Sequence, residues 1–133
     1  MLSSKRLLFL CPRVPWPLNT GAKIRTHALL RVLQSEYRVT YAGFLQPDLD
    51  EEEALSRLTG CEQVKMVPEP CVSLPGKVCL GIRSLFDKRP ATVIKYWHSQ
   101  IAEFTRSWML QYRGHVIHAD HLHMAPYLEL VRN

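Results

Sequence analysis

The residues of this sequence best suited to bind an anion lie between positions 11 and 25. Three prolines are followed there by Thr20 and Gly21, and then by Lys23 and Arg25. Exposed backbone N–H groups at the start of a helix attract anions, and cations in its first turns strengthen that attraction. A glycine also lets a phosphate or a sugar approach the backbone closely. We therefore expect a site for a phosphorylated ligand here, although the same residues would also suit a proline-stiffened connection that binds nothing.

A second group of reactive side chains forms the pattern His118-x-Asp120-His121-x-His123. Histidine and aspartate can coordinate a metal ion, but alternate residues of a strand point to opposite faces of a sheet. We favour contact with a sugar or a phosphate, ahead of an ordinary polar loop, and we predict no metal site. Neither a Walker loop nor a G-x-G-x-x-G pattern occurs, so the standard nucleotide fingerprints are absent.

The elements that would position these residues alternate between strands and helices. Apolar or β-branched runs predict strands over residues 6–12, 37–45, 63–67 and 114–119. Apolar residues at helical spacing predict helices over residues 22–34, 48–60, 74–86, 94–108 and 122–131. The order βαβαβααβα is typical of an α/β fold, with a Rossmann-like parallel sheet in the order 3-2-1-4 and helices on both faces. Both candidate segments then follow the carboxyl ends of strands, where open α/β sheets bind ligands.

The composition is that of an ordinary folded domain. The 133 residues are 47% hydrophobic and 22% charged, which predicts a single domain rather than a disordered chain. The first apolar run is too short for a signal peptide, and no run reaches the roughly 20 residues of a membrane span, so we expect a cytoplasmic protein. The net charge of +5 comes from scattered cations, which argues against nucleic acid as a partner.

The four cysteines show no regular spacing and stand in apolar surroundings. They are Cys11, Cys61, Cys71 and Cys79. Free cysteine behaves as a small buried hydrophobe, and a cytoplasmic chain keeps its thiols reduced. We expect buried thiols, with no disulfide and no cysteine-based metal site.

Residues 77–89 form a basic amphipathic stretch that allows two interpretations. Its cations are Lys77, Arg83, Lys88 and Arg89, and they flank an apolar face. Such a helix can lie on an anionic membrane. A surface helix whose apolar side is buried shows the same pattern, and we favour that second interpretation.

The predicted sheet ends without a strand beyond strand four. An open parallel edge tends to pair with another strand. We therefore expect either a truncated domain or a partner that covers this edge, such as a second copy of the chain. Trp97 and Trp108, on the predicted helix over residues 94–108, are expected in the core.

Both candidate segments resemble parts of a known family. The first reads Arg-Val-Pro-Trp-Pro-Leu-Asn-Thr-Gly-Ala-Lys-Ile-Arg-Thr from Arg13, and the second reads Val-Ile-His-Ala-Asp-His-Leu-His-Met-Ala-Pro-Tyr from Val116. Together they are similar to the start and the fourth-strand region of the N-terminal domain of GT-B glycosyltransferases of the family-4 type. The first segment is close to the sugar transferases associated with exopolysaccharide and PEP-CTERM/exosortase loci.

This resemblance implies half of a two-domain enzyme that moves a sugar from a nucleotide-diphosphate sugar to a glycan or a lipid-linked acceptor. It implies that the donor phosphates lie near Thr20, Gly21, Lys23 and Arg25. It implies that the acceptor is bound by Arg13, His118, Asp120 and His121. Residues 1–133 would form the acceptor-side domain alone, without the donor-binding domain and its paired glutamates. We expect such a chain to be inactive by itself, and we predict no catalytic residue in it and no cofactor beyond the donor.

Two alternatives to a transferase domain remain open. The first is a non-catalytic Rossmann-like module that binds a phosphorylated ligand. The second is a module that binds a protein partner, with a homodimer through the strand-four edge as the simplest case. A lipid-linked acceptor would add peripheral contact with the inner face of the cell membrane.

Overall fold

The computed structural model describes residues 4–113 and 115–131, and its strands form one four-stranded parallel sheet. The strands are β1 (Arg6–Cys11), β2 (Arg38–Leu45), β3 (Gln63–Pro68) and β4 (Val116–Ala119). Their order is β3-β2-β1-β4, and Leu8 of β1 lies opposite Thr40 of β2 and Ile117 of β4. The predicted α/β class, the Rossmann-like parallel sheet and its strand order are confirmed.

Helices cover both faces of the sheet. They are α1 (Gly21–Glu36), α2 (Glu51–Arg57), α3 (Leu74–Asp87), α4 (Ala91–Lys95), α5 (Ser99–Gln111) and a 3₁₀ helix at Leu122–Val131. On one face, Leu8 and Leu10 of β1 pack in a core with α5 and the 3₁₀ helix. On the other face, Leu7 and Phe9 pack in a core with α1 and α2. The continuous apolar run of β1 is therefore explained by burial on both sides.

The helix predicted over residues 94–108 is interrupted in the structure. α4 ends at Lys95 and α5 begins at Ser99. His98 is the N-cap of α5, and its Nδ1 accepts a hydrogen bond from the backbone N–H of Gln100 at 3.2 Å. The Tyr127 hydroxyl accepts from the backbone N–H of His98 at 2.8 Å and donates to the carbonyl of Tyr96. A side chain distant in sequence thus satisfies the backbone groups that the interruption releases.

Two further elements differ in extent or type from the prediction. The strand predicted over residues 114–119 begins at Val116, and Gly114 lies outside the described residues. The last helix is present but winds as a 3₁₀ helix with Pro126 inside it. β4 lies at the edge of the sheet beside β1, so the expected pairing across this edge stays a prediction.

The two tryptophans expected in the core differ in their surroundings. Trp108 is 3% exposed, and its Nε1 donates to Thr40 Oγ1 at 3.1 Å. Trp97 is 39% exposed and stacks on the ring of Tyr127, with the ring centroids 4.8 Å apart. The core assignment is therefore confirmed for Trp108 and wrong for Trp97, because the interruption before α5 turns Trp97 toward the surface.

α3 lies with its apolar side toward solvent. The exposed side chains are Leu74, Val78, Ile82, Leu85 and Phe86. Because none of the helix's residues is buried, the favoured interpretation of a surface helix with a buried apolar side is wrong. Among the helices of residues 4–113 and 115–131, none has the length and hydropathy needed to cross a membrane.

We predict that Trp108→Ala lowers the free energy of unfolding by about 3–5 kcal/mol, because it leaves a cavity in the core and removes the partner of Thr40. Leu110→Ala on the same helix is the control, since Leu110 is 69% exposed. Its effect should stay within about 0.5 kcal/mol. Urea unfolding followed by circular dichroism measures both variants, and equal effects of the two would contradict the assignment of Trp108 to the core.

Candidate functional site

A cavity of about 370 Å³ lies at the carboxyl edge of the sheet, beyond the end of β1. The order β3-β2-β1-β4 reverses direction between β1 and β4, and such a switch point is where open α/β sheets bind ligands. The loop after β1 forms one wall of the cavity, and the loop after β4 contributes to the other. The polar residues that line the cavity are Arg13, Asn19, Thr20, Lys23, Thr26, Tyr96, His121 and His123.

The first wall is the start of α1. Thr20 is the N-cap of this helix, as predicted, and its Oγ1 accepts from the backbone N–H of Lys23 at 3.3 Å. Gly21 begins the helix and is exposed, and a Cβ added there would meet nothing within 4 Å. Lys23 lines the cavity and, among the described residues, has no carboxylate within ion-pair distance. Its ammonium group is therefore available to an anionic ligand.

The proline-rich loop that leads to α1 is fixed by Gln46, which sequence reasoning missed. The side-chain carbonyl of Gln46 accepts from the backbone N–H of Val14 at 3.1 Å. Its Nε2 donates to the carbonyls of Val14 at 3.0 Å and Trp16 at 2.9 Å. Gln46 is 2% exposed, so these bonds form away from water and set the course of the loop.

Asp120 lies beneath the cavity and links its two walls. Its carboxylate accepts from the Thr26 hydroxyl of α1 at 2.6 Å, and its backbone N–H donates to the carbonyl of Leu10 in β1 at 2.8 Å. Arg25 Nη2 lies 3.6 Å from Asp120 Oδ1. Since the Asp120 side chain is only 5% exposed and is not among the groups that line the cavity, it acts as a positioning residue.

Two of the predicted residues stand outside the cavity but contact Asp120. Arg25 has a side chain 65% exposed and reaches the carboxylate from the solvent side. His118 stacks on the ring of Phe9, with centroids 5.1 Å apart, and its Nε2 lies 3.9 Å from Asp120 Oδ1. The structure thus places Arg25 and His118 around the carboxylate of Asp120, and none of the three lines the cavity.

Two histidines form the second wall. His121 has a φ of 74°, and its Nδ1 lies 2.8 Å from Asp120 Oδ2, without the alignment of a hydrogen bond. The rings of His121 and His123 are stacked, with centroids 6.3 Å apart. Burial, followed by the nearby charges of His121 and Lys95, lowers the pKa of His123. His123 belongs to the histidine pattern for which the sequence predicts contact with a sugar or a phosphate, but the family resemblance does not include it among the acceptor-binding residues.

Arg13 closes the cavity on the side of β3. Its Nε and Nη2 donate to Glu69 Oε1 at 3.0 Å and 2.8 Å, and the Tyr96 hydroxyl donates to the same oxygen at 2.6 Å. The hydrogen bond to Glu69 raises the pKa of Arg13. The pKa of Tyr96 is also raised, first by burial and then by its hydrogen bond to Glu69. Glu69 compensates the charge of Arg13, so Lys23 is the lysine or arginine lining this cavity that has no carboxylate partner among the described residues.

Cys11, Asp120 and His121 form a group whose ligand atoms lie within 4.8 Å of one another, as a metal site would require. Burial raises the pKa of the Cys11 thiol to about 12, and its Sγ donates to the carbonyl of Arg13 at 3.0 Å. A protonated thiol is a poor ligand. The group is accounted for by its own hydrogen bonds and ion pairs, so we propose no metal for it.

Comparisons with protein-family models, with curated proteins and with solved structures find no match to this chain. The resemblance to the GT-B glycosyltransferases therefore stays a prediction. The function must be argued from the cavity and its surroundings.

We predict that alkylating reagents modify Cys71 and Cys79 in the native protein but reach Cys11 only after unfolding. Cys71 and Cys79 are exposed, contrary to the expectation that all four thiols are buried, whereas Cys11 is 1% exposed. Mass spectrometry of peptides after brief treatment with iodoacetamide measures each site. The same treatment in urea is the control, and rapid modification of Cys11 in the folded chain would show that the floor of the cavity is open.

Proposed function

We propose that this chain is the acceptor-side N-terminal domain of a GT-B glycosyltransferase and is inactive alone. The full enzyme would move a sugar from a nucleotide-diphosphate sugar to a glycan or a lipid-linked acceptor. One observation carries the proposal: the two segments that resemble this family, more than ninety residues apart in sequence, form walls of one cavity. The cavity also lies at the switch point where α/β sheets bind nucleotides.

The chemistry of the cavity suits a phosphorylated ligand. The start of α1 points its first backbone N–H groups toward this edge of the sheet, and Lys23 adds a cation in the first turn. Asn19, Thr20 and the two imidazoles offer hydrogen-bonding groups for phosphate oxygens or sugar hydroxyls. A volume of about 370 Å³ falls at the lower end of the range for small-ligand sites, roughly 300–1,000 Å³.

Sugar transfer also requires groups that these walls do not supply. The charge that develops on the diphosphate leaving group must be stabilised while the glycosidic bond breaks. Lys23 and the amide groups of α1 could contribute from one side. A second domain facing this edge would have to hold the nucleotide and the rest of the diphosphate, which is why we propose no activity for the chain alone.

We predict that Lys23→Ala weakens binding of UDP or GDP, or of their sugars, by about tenfold or more, because it removes a charge-assisted contact with the phosphates. Isothermal titration calorimetry measures this effect, on the 133-residue chain where that chain binds and otherwise on a longer product of the gene. Arg31→Ala is the matched control, since Arg31 is an exposed cation on the same helix, distant from the cavity. An equal loss of nucleotide affinity in the two variants would mean a general charge effect. The proposal would be refuted if neither the parent chain nor any longer product of the gene bound these nucleotides.

The alternative is a non-catalytic module that binds a phosphorylated ligand. It is compatible with a cavity of about 370 Å³ whose walls already bring Lys23, Thr20 and two imidazoles together. Tight binding by the 133-residue chain, with no gain in a longer product of the gene, would support the module. Binding that requires the longer product would support a cleft shared between two domains.

We predict that Gly21→Val leaves the stability of the fold unchanged and weakens binding of the phosphorylated ligand. The added side chain has open space on the protein side, because nothing lies within 4 Å of a Cβ at this position. It would instead obstruct the approach of a ligand to the start of α1. Thermal unfolding and calorimetry measure the two effects, and a loss of folding without ligand would make Gly21 purely structural.

A further inference from the structure

α3 exposes a continuous apolar surface. Its five large apolar side chains are Leu74 at 76% exposed, Val78 at 58%, Ile82 at 52%, Leu85 at 81% and Phe86 at 85%. At about 3.6 residues per turn these positions fall on one side of the helix. Single exposed apolar residues are ordinary, but a contiguous group of this kind marks an interaction surface.

The opposite side of α3 faces the body of the protein with one leucine and three smaller or polar residues. Its half-buried positions are Gly76, Leu80, Ser84 and Asp87, spaced four, four and three apart. The Ser84 hydroxyl donates to the carbonyl of Arg89, which ties the end of the helix to the following turn. The helix therefore attaches through a narrow side and keeps its apolar surface free.

Positive charge borders this apolar surface. Lys77 stands at one edge and Arg83 at the other, and Lys88 and Arg89 follow directly after the helix. All four side chains are exposed. Asp87 is the one acidic residue between positions 70 and 89, and it forms an ion pair with Arg89 at 2.6 Å. A surface that fits α3 must combine an apolar layer with negative charge around it.

We propose that α3 docks this protein on the surface of an anionic lipid bilayer, with its apolar side chains below the headgroups and its cations among the phosphates. This arrangement is that of an interfacial amphipathic helix. At 14 residues the helix is about 21 Å long and lies along the surface rather than across it. A second copy fits less well, because two copies joined through this face would bring their basic borders together, and the one carboxylate there, Asp87, already pairs with Arg89 of its own chain.

The position of α3 relates the bilayer to the cavity. Lys77 and Leu80 of α3 line a groove with Arg13 and Glu69, and Arg13 also lines the switch-point cavity. Docking would therefore bring the cavity close to the headgroup layer, where a lipid-linked acceptor would be found. This last link rests on the proposed function, whereas the docking of α3 does not.

Sedimentation with vesicles of phosphatidylcholine, with and without phosphatidylglycerol, tests the docking. The 133-residue chain should bind the mixed vesicles and be released by salt. The double variant Leu85→Ser, Phe86→Ser should lower the partition coefficient roughly tenfold or more, since it removes the two most exposed apolar side chains. Arg83→Gln should lower it about fivefold, and only on vesicles that contain phosphatidylglycerol.

Leu110→Ser is the matched control, because Leu110 is comparably exposed on a different helix, and it should leave vesicle binding unchanged. Phe86→Ser alone provides a second variant, and circular dichroism establishes that each chain is folded. No binding to mixed vesicles, or binding equally reduced by Leu110→Ser, would overturn the proposal. A dimer detected by light scattering and dissociated by Phe86→Ser would also overturn it, because the apolar face would then be covered by a second copy.

Nucleotide binding measured by calorimetry is a separate readout, so failure of the docking proposal is distinguishable from failure of the proposed function.

Discussion

The buried carboxylate of Asp120 is the constraint on which the candidate site depends. A carboxylate removed from water is unfavourable unless it is hydrogen-bonded and neutralised. Thr26 supplies the hydrogen bond from α1, and Arg25 and His121 supply the nearby cationic or imidazole groups. Meeting these requirements brings the start of α1 and the loop after β4 to one point. The two walls of the cavity are therefore held together by the need to compensate one charge.

The burial of Asp120 also separates the predicted binding residues into those that line the cavity and those that do not. Lys23, Thr20 and Arg13 line the cavity, as expected for ligand contact. Asp120 and His118, expected to touch an acceptor, lie under or beside the cavity. Sequence spacing indicates that such residues share one edge of the sheet, because each lies near or after the carboxyl end of a strand. It does not indicate their depth, which depends on the partners that other elements bring.

The order of the elements could be predicted because its signals are local. The apolar run of β1, the Thr20 cap and the alternation of strands with helices each occupy a few consecutive residues. The interruption between α4 and α5 could not be predicted in this way, because the Tyr127 hydroxyl that satisfies its backbone groups lies some thirty residues away in the sequence. The orientation of the apolar side of α3 was predicted wrongly for a different reason. Periodicity shows that a helix has an apolar side, but the same period results whether that side faces a core or the solvent.

Glu69 was also missed, although a signal for it existed. It follows the carboxyl end of β3, the same edge that drew attention to residues after β1 and β4, and it compensates Arg13 there. Tyr96 at the end of α4 donates to the same carboxylate and contacts the ring of His123 across the cavity. α4 directly follows α3 and packs against it. Glu69, whose side chain is 4% exposed, pairs with Arg13 of the cavity and also lines the groove that Lys77 and Leu80 of α3 border. One buried carboxylate therefore lies between the helix that we propose for a bilayer and the cavity that we propose for a phosphorylated ligand.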